Sequence, residues 1–199
     1  MHLNGQPQIM NAMRYFRIPS LSMCLVALFM SASAWAASTP DEIRVAENAY
    51  LRLEMIARTP EQMAAFYEAR RFPKAAIHEL DRFCFITTSV TNKSRDVIWM
   101  RLANWIFTDK EGQVLKRVHR KDLLARLQKI GLAQQYRSTF RWTLIPEVLD
   151  YRPEEREGGN IALPRTTKPF HLKAEFVMGA KEEGKHIFVE LDDLRCVED

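Results

Sequence analysis

The chain has 199 residues, 47% of them hydrophobic, and its 29 Lys and Arg against 25 Asp and Glu leave a formal net charge of +4. A balance this close excludes the strong one-sided basic excess that nucleic-acid binding requires. Its three cysteines include no C-x-x-C pair, which leaves a thiol oxidoreductase no footing.

The N-terminal pattern predicts a secretory signal. Arg14 and Arg17 form a positive n-region, residues 23–30 a short apolar core, and Ala34 and Ala36 occupy the small-residue positions before a cleavage site. The apolar run falls short of the roughly 20 residues that span a bilayer, so cleavage after Ala36 is expected instead of anchoring. Cys24 follows the bulky Met23, not a small residue, and reads as filler lost with the signal. Residues 37–199 then form one periplasmic or secreted domain, with a net charge of about +2 once Arg14 and Arg17 are removed. Two cysteines remain, Cys84 and Cys196. In an oxidising compartment an even pair predicts a disulfide, and closing so long a loop is worth about 4 to 5 kcal/mol by chain entropy.

Residues 43–57 alternate Leu51, Leu53 and Met55 with Arg52 and Glu54, the period of a half-buried strand. Thr59, Pro60 and Gln62 supply an N-cap, a first helical position and a capping box, and Met63, Phe66, Tyr67 and Arg70 mark one helical face. A second short helix opens near Pro73, with Ile77 and Leu80 as its apolar side. Residues 84–91 put Cys84, Ile86 and Val90 on one side of a strand, and 92–96 form a polar turn. The run 97–109 is apolar at both parities, which predicts a bulge that shifts the strand's phase. A turn at Gly112 returns the chain as a short strand over 114–118. Residues 121–131 read as a helix with Leu123, Leu124, Leu127 and Ile130 as its stripe and Gly131 as its C-cap. Next, 138–144 alternates Phe140, Trp142 and Leu144 with Thr139, Arg141 and Thr143, a strand pattern. A Pro-, Glu- and Gly-rich connection covers 145–160, a short strand 161–163, and a hairpin of 169–178 with 186–194 ends the chain.

Seven or eight short strands joined by hairpin turns, with two small helical insertions, predict a mainly β fold, an immunoglobulin-like antiparallel β-sandwich. The strand ending in Val90-Thr91-Asn92, the polar turn and the strand carrying Trp99 and Trp105 resemble the accessory sandwich modules common in exported bacterial proteins.

Four histidines follow the signal: His78, His119, His171 and His186. Pairing across the 179–185 turn sets His186 opposite Val177, which leaves His171 about 20 Å along the strand, too far to share an ion. There is no His-x-His, no Met-rich run and no His with a Cys at ligand spacing, so no metal or cofactor is expected. There is no Gly-x-Ser-x-Gly elbow either, and with the cysteines bonded to each other no enzyme is expected. Glu147, Asp150, Glu154, Glu155 and Glu157 crowd the 145–160 connection, but Arg152 and Arg156 interrupt any calcium-loop spacing. Its length makes it the candidate functional loop. Asn92-Lys93-Ser94 matches a glycosylation sequon, for which a turn-forming Asn is the better account.

The stretch from Lys110 to Arg141 is basic, with only Glu111 and Asp122 as carboxylates. A helix there can lie on an anionic membrane surface or dock an acidic protein partner. The expectation is an exported, non-catalytic binding or assembly-accessory module with a protein partner and no nucleic acid. Its contact surface would join Lys121, Arg126 and Lys129 with Glu154 and Glu155. The alternative is an exported metal or small-molecule carrier, or a hydrolase, which a convergent pocket of His, Asp or Glu would favour.

Overall fold

The structure, a computed structural model, describes residues 42–197. The expected signal, Cys24 and the cleavage site at Ala36 lie outside the described residues. The segment expected as one strand over 43–57 divides into a hairpin, β1 (Arg44–Glu47) and β2 (Leu51–Arg58). Asn48 makes the break, because its Oδ1 accepts the N–H groups of Tyr50 and Leu51 at 2.8 and 3.0 Å and so stands in for the backbone of a turn. α1 (Pro60–Glu68) begins with the expected capping box: Thr59 Oγ1 accepts from the Gln62 N–H, and Gln62 Oε1 accepts from the Thr59 N–H. α2 (Lys74–Leu80) follows, then β3 (Phe83–Asn92). The phase shift expected in 97–109 is a 3₁₀ turn over Leu102–Asn104 that separates β4 (Ile98–Arg101) from β5 (Ile106–Asp109).

Three expectations fail beyond this point. Residues 114–118 form no strand, only isolated bridges from Val114 to Thr108 and from Val118 to Ala162. After α3 (Arg120–Lys129), which ends at Gly131 with φ 78°, the segment 138–144 belongs to a helix, α4 (Gln134–Thr143). Its alternation was misleading because Tyr136, Phe140 and Leu144 also recur every four residues. Phe140 is fully buried and Trp142 is 85% exposed, which only a helix reconciles. The connection expected over 145–160 is mostly sheet: β6 (Val148–Tyr151) and β7 (Arg156–Pro164) leave residues 145–147 and a turn at 152–155 outside the strands. β8 (Phe170–Met178) and β9 (His186–Leu194) form the expected hairpin.

The protein is mainly β, with two antiparallel sheets. One runs β1-β2-β3-β7. In the other, β8 pairs on one side with β9 and on the other with β4 and then β5, while β6 lies beyond β4. β4 and β5 thus act as one bent strand. Leu51, Leu53, Met55, Ile86 and Val90 of the first sheet share a core with Ile98, Met100, Phe107, Leu172 and Phe176 of the second. The sheets therefore bury one face each against the other. Cys84 at the start of β3 is bonded to Cys196 beyond β9, with Cα atoms 5.6 Å apart and a sequence separation of 112. The bond pins the C-terminal end of the second sheet to the first.

The outer faces differ. That of the first sheet, through Phe85 and Ala162, carries a second core made with all four helices: Met63, Tyr67, Leu80, Leu123, Leu127 and Phe140. That of the second sheet is solvated and charge-paired, with Lys173 beside Glu190 and His186 beside Glu175.

Candidate functional site: a basic groove between two helices

The α3 helix is held at its start by an unusual cap. His119 Nδ1 accepts the Lys121 N–H at 3.0 Å, and the Arg120 N–H donates to Glu147 Oε1 at 3.2 Å. Arg117 forks onto the same carboxylate, at 3.1 and 2.5 Å. Burial alone would push the Glu147 carboxyl up, but the Arg117 hydrogen bond and charge, with help from the Arg120 N–H and His119, hold it below the usual carboxylate range. Leu123 and Leu127 then seat α3 on the second core, as the stripe predicted. Leu124 is only half-buried and Ile130 is exposed.

α4 lies beside α3, tied to it by Arg137 to Gln128 at 2.7 Å. Between the helices runs an open groove of about 390 Å³, floored by Leu124 and Ala125, with Gln128 at one end and Glu147 at the other. Its walls are cationic: Arg120 and Lys121 from α3 and Arg141 from α4. Arg120 reaches across to donate to the Arg141 carbonyl at 2.5 Å, and its Nε is buried without a hydrogen-bond partner. Burial, then the nearby Arg141 charge, lowers the Arg120 pKa against the opposing pull of Glu147. Since Glu147 is already held by Arg117, the groove keeps a surplus of positive charge. Trp142 stands on the outward side of α4 next to Arg141.

The residues expected to form one surface do not meet. Lys121 lines the groove, and Lys129 sits exposed at the other end of α3. Arg126 turns the opposite way, toward Glu79 of α2 at 3.5 Å and over the Phe83 ring. Glu154 and Glu155 form the β6–β7 turn, where the Glu154 N–H donates to the Asn92 carbonyl and the Asn92 N–H to the Glu155 carbonyl. The helices pack at Phe85, so these glutamates lie at the other end of β3, about 23 Å away at 3.3 Å per residue. That turn is structural. Asn92 is 1% exposed, and its Nδ2 donates to the carbonyls of Asp96 and Tyr151 at 2.7 and 2.8 Å. A side-chain nitrogen so committed is closed to a glycan, in line with the turn-forming account of the sequon.

Arg141 closes the basic stretch of the sequence but is not among the residues expected at the contact surface, and 138–144 reads there as a strand. The available signal was the absence of any carboxylate from Arg126 to Arg141.

A second groove of about 420 Å³ lies between α1 and α2, floored by Met63, Ile77 and Leu80 and rimmed by Glu61, Glu68, Lys74, His78 and Asp81. No serine, threonine or cysteine lines either groove. His171 is bound to Asp192 at 2.7 Å and His186 to Glu175, each across the β8–β9 ladder. Among the described residues no group of three His, Cys, Asp or Glu is placed to hold a metal, and no helix is long and apolar enough to cross a membrane.

No protein-family model and no curated protein matches the chain. Among solved structures it is similar to the crystal structure of the yjhA protein from Bacillus subtilis, at 14% identity and a TM-score of 0.33. The match covers 46% of this chain and 55% of that one, so the chain spans about half of that protein's length.

Proposed function

We propose that the protein is an exported, non-catalytic accessory module of immunoglobulin-like type that captures a protein partner through the α3/α4 hairpin. The observation that carries this is the hairpin's excess of cations, only part of which is answered from outside it, by Glu79 and Glu147. Arg120, Lys121, Arg126, Lys129, Arg137 and Arg141 face one carboxylate, Asp122, within its two helices. Among the described residues, the side chains of Lys121, Lys129 and Arg141 make no hydrogen bond or ion pair. Charge without an internal role is what a partner surface carries. The strand order supports the module type: β2-β3-β7 over β9-β8-β4/β5-β6 follows the A-B-E and G-F-C-C′ arrangement, with β1 added at one edge. Export rests on the pattern of residues 14–36 and on the disulfide.

The test joins two measurements on protein recovered from the cell that makes it. Native mass spectrometry should find a chain that begins at Ala37 and has lost the two thiol hydrogens. In-cell crosslinking should give a partner adduct that disappears in the Lys121→Glu/Arg141→Glu double variant, while thermal unfolding stays cooperative. An adduct that survives the double reversal removes the hairpin as the docking surface, and a chain retaining residues 1–36 removes export by cleavage.

A further inference from the structure

The proposed function leaves open what the hairpin holds, and the groove itself narrows the answer. We propose that the α3/α4 groove receives an acidic segment of the partner protein, one carboxylate lying among Arg120, Lys121 and Arg141 and a neighbouring apolar side chain on Leu124 and Ala125. This rests on the docking role of the hairpin and specifies its chemistry.

Three observations lead to it. The first is the local charge. Arg120, Lys121 and Arg141 line one concavity, and the carboxylate that lines it with them, Glu147, is already taken by Arg117 and the Arg120 N–H. Like charges held together without a counterion repel, and an incoming carboxylate relieves that repulsion. The second is an unmet donor: the Arg120 Nε–H is buried without an acceptor. Arg120 lines both the groove and the small interior space beside Arg117 and Glu147, so a small shift of its guanidinium would let this unpaired donor meet an incoming acceptor. The third is shape. The floor is apolar and the space, about 390 Å³, suits a few side chains in a cleft.

Shape also decides between the two anionic partners that a basic helix can serve. A bilayer is flat and needs an apolar face laid into it. Outward on this hairpin the large exposed apolar groups are Trp142 on α4 and Ile130 just past the end of α3, while the cations line a recess between the helices. A side chain can enter a recess and a membrane surface cannot. Trp142 is 85% exposed and next in sequence to Arg141, so a segment seated at Arg141 would alter its surroundings.

The experiment uses isotope-labelled protein as exported and reads the Nε–Hε signals of Arg120 and Arg141 and the indole N–H of Trp142 by NMR. The probe is a capped peptide alternating glutamate with leucine, and its glutamine counterpart is the control. The glutamate peptide should shift all three signals saturably and the glutamine peptide should not. The affinity should fall about tenfold or more in the Lys121→Glu/Arg141→Glu variant, and also as salt rises from about 50 to 200 mM. The proposal is overturned if the three signals ignore the glutamate peptide, if the double variant binds it equally well, or if phosphatidylglycerol vesicles or inorganic phosphate shift them where the peptide does not. Loss of the cellular adduct in the double variant, with no peptide binding by the parent protein, would sink this inference and leave the docking role standing. Peptide binding with an unaltered adduct would remove the docking role, and with it the partner's segment as the occupant, leaving only a groove that binds carboxylates.

Discussion

The two helical hairpins rest on the same sheet face and share one core, yet they treat charge in opposite ways. In α1/α2 and its flanks, Arg70, Arg71, Lys74 and Arg82 are matched by Glu61, Glu68, Glu79 and Asp81. Glu79 even serves the other hairpin, by pairing with Arg126. The helix starts differ as well. α1 opens with a capping box and Glu61 in its first turn, where the helix dipole favours an anion. α3 opens with Arg120 and Lys121, where the dipole disfavours cations, and Asp122 answers only part of that. Packing is satisfied equally in both hairpins. The difference lies in positions that folding leaves free, and α3/α4 fills those positions at some cost to itself.

The strongest way to break the comparison is to remove what the hairpins share. Phe140 is fully buried, with ring centroids 5.7 Å from Tyr67 and 6.4 Å from Phe85. Phe140→Ala should cost about 3 to 5 kcal/mol, and hydrogen exchange should show both hairpins loosened together. Protection lost from α4 alone would mean that the hairpins are independent units.

Next in size is the bond between them. Tyr67 of α1 and Thr143 of α4 are hydrogen-bonded through their hydroxyls at 2.9 Å. Burial pushes the Tyr67 phenol up to about 12, against the lowering effect of the Thr143 bond and of Arg70. A phenol whose pKa is raised by folding stabilises fully below its unfolded value near 10, and that contribution fades as pH climbs to about 12. The loss across this window is about 2 to 3 kcal/mol. Burial, with Glu157 and Glu155, raises Tyr151 too, so the alkaline limb has two contributors. The informative quantity is therefore the difference between the parent protein and Tyr67→Phe in chemical denaturation at pH 9 to 12. The variant should begin about 1 kcal/mol less stable and lose less on the alkaline side; parallel curves would show that Tyr67 does not titrate with unfolding.

A third test separates the hairpins. Thr59→Ala removes the side-chain acceptor of the α1 capping box and should cost about 1 kcal/mol. The loss should appear as fraying of α1 in hydrogen exchange, with α3 unchanged.

The legibility of these features in the sequence follows from the range of the forces that set them. The capping box, the Gly131 stop, the last hairpin and the Cys84–Cys196 pairing rest on local rules or on a single possible pair, and all are found. α4 was illegible because Phe140, Trp142 and Leu144 satisfy a strand's period while Tyr136, Phe140 and Leu144 satisfy a helix's. Only the tertiary core decides between them. The Gly158–Gly159 pair looked like loop chemistry, yet both lie inside β7. A Cβ on Gly159 would fall 2.5 Å from the Ile145 nitrogen, and one on Gly158 would fall 2.0 Å from the Thr88 carbonyl oxygen. These glycines make room for neighbouring chains, which sequence does not reveal. For the same reason the sequence groups the acidic turn with the basic helix. Without the register of β7, its place at the far end of the sheet was hidden.

The smallest effect carries the most information about function. Lys121→Glu would place an anion in the first turn of α3, where the dipole favours it, and Arg141→Glu would replace a charge that repels Arg120 with one that attracts it. Both changes should leave stability unaltered or raise it, by about 0.5 kcal/mol each in denaturant titration. A gain in stability accompanied by a loss of partner capture would mean that the fold tolerates these cations for the sake of binding. A loss of more than about 1 kcal/mol would instead make them structural. The two hairpins would then differ in how they fold and not in what they hold.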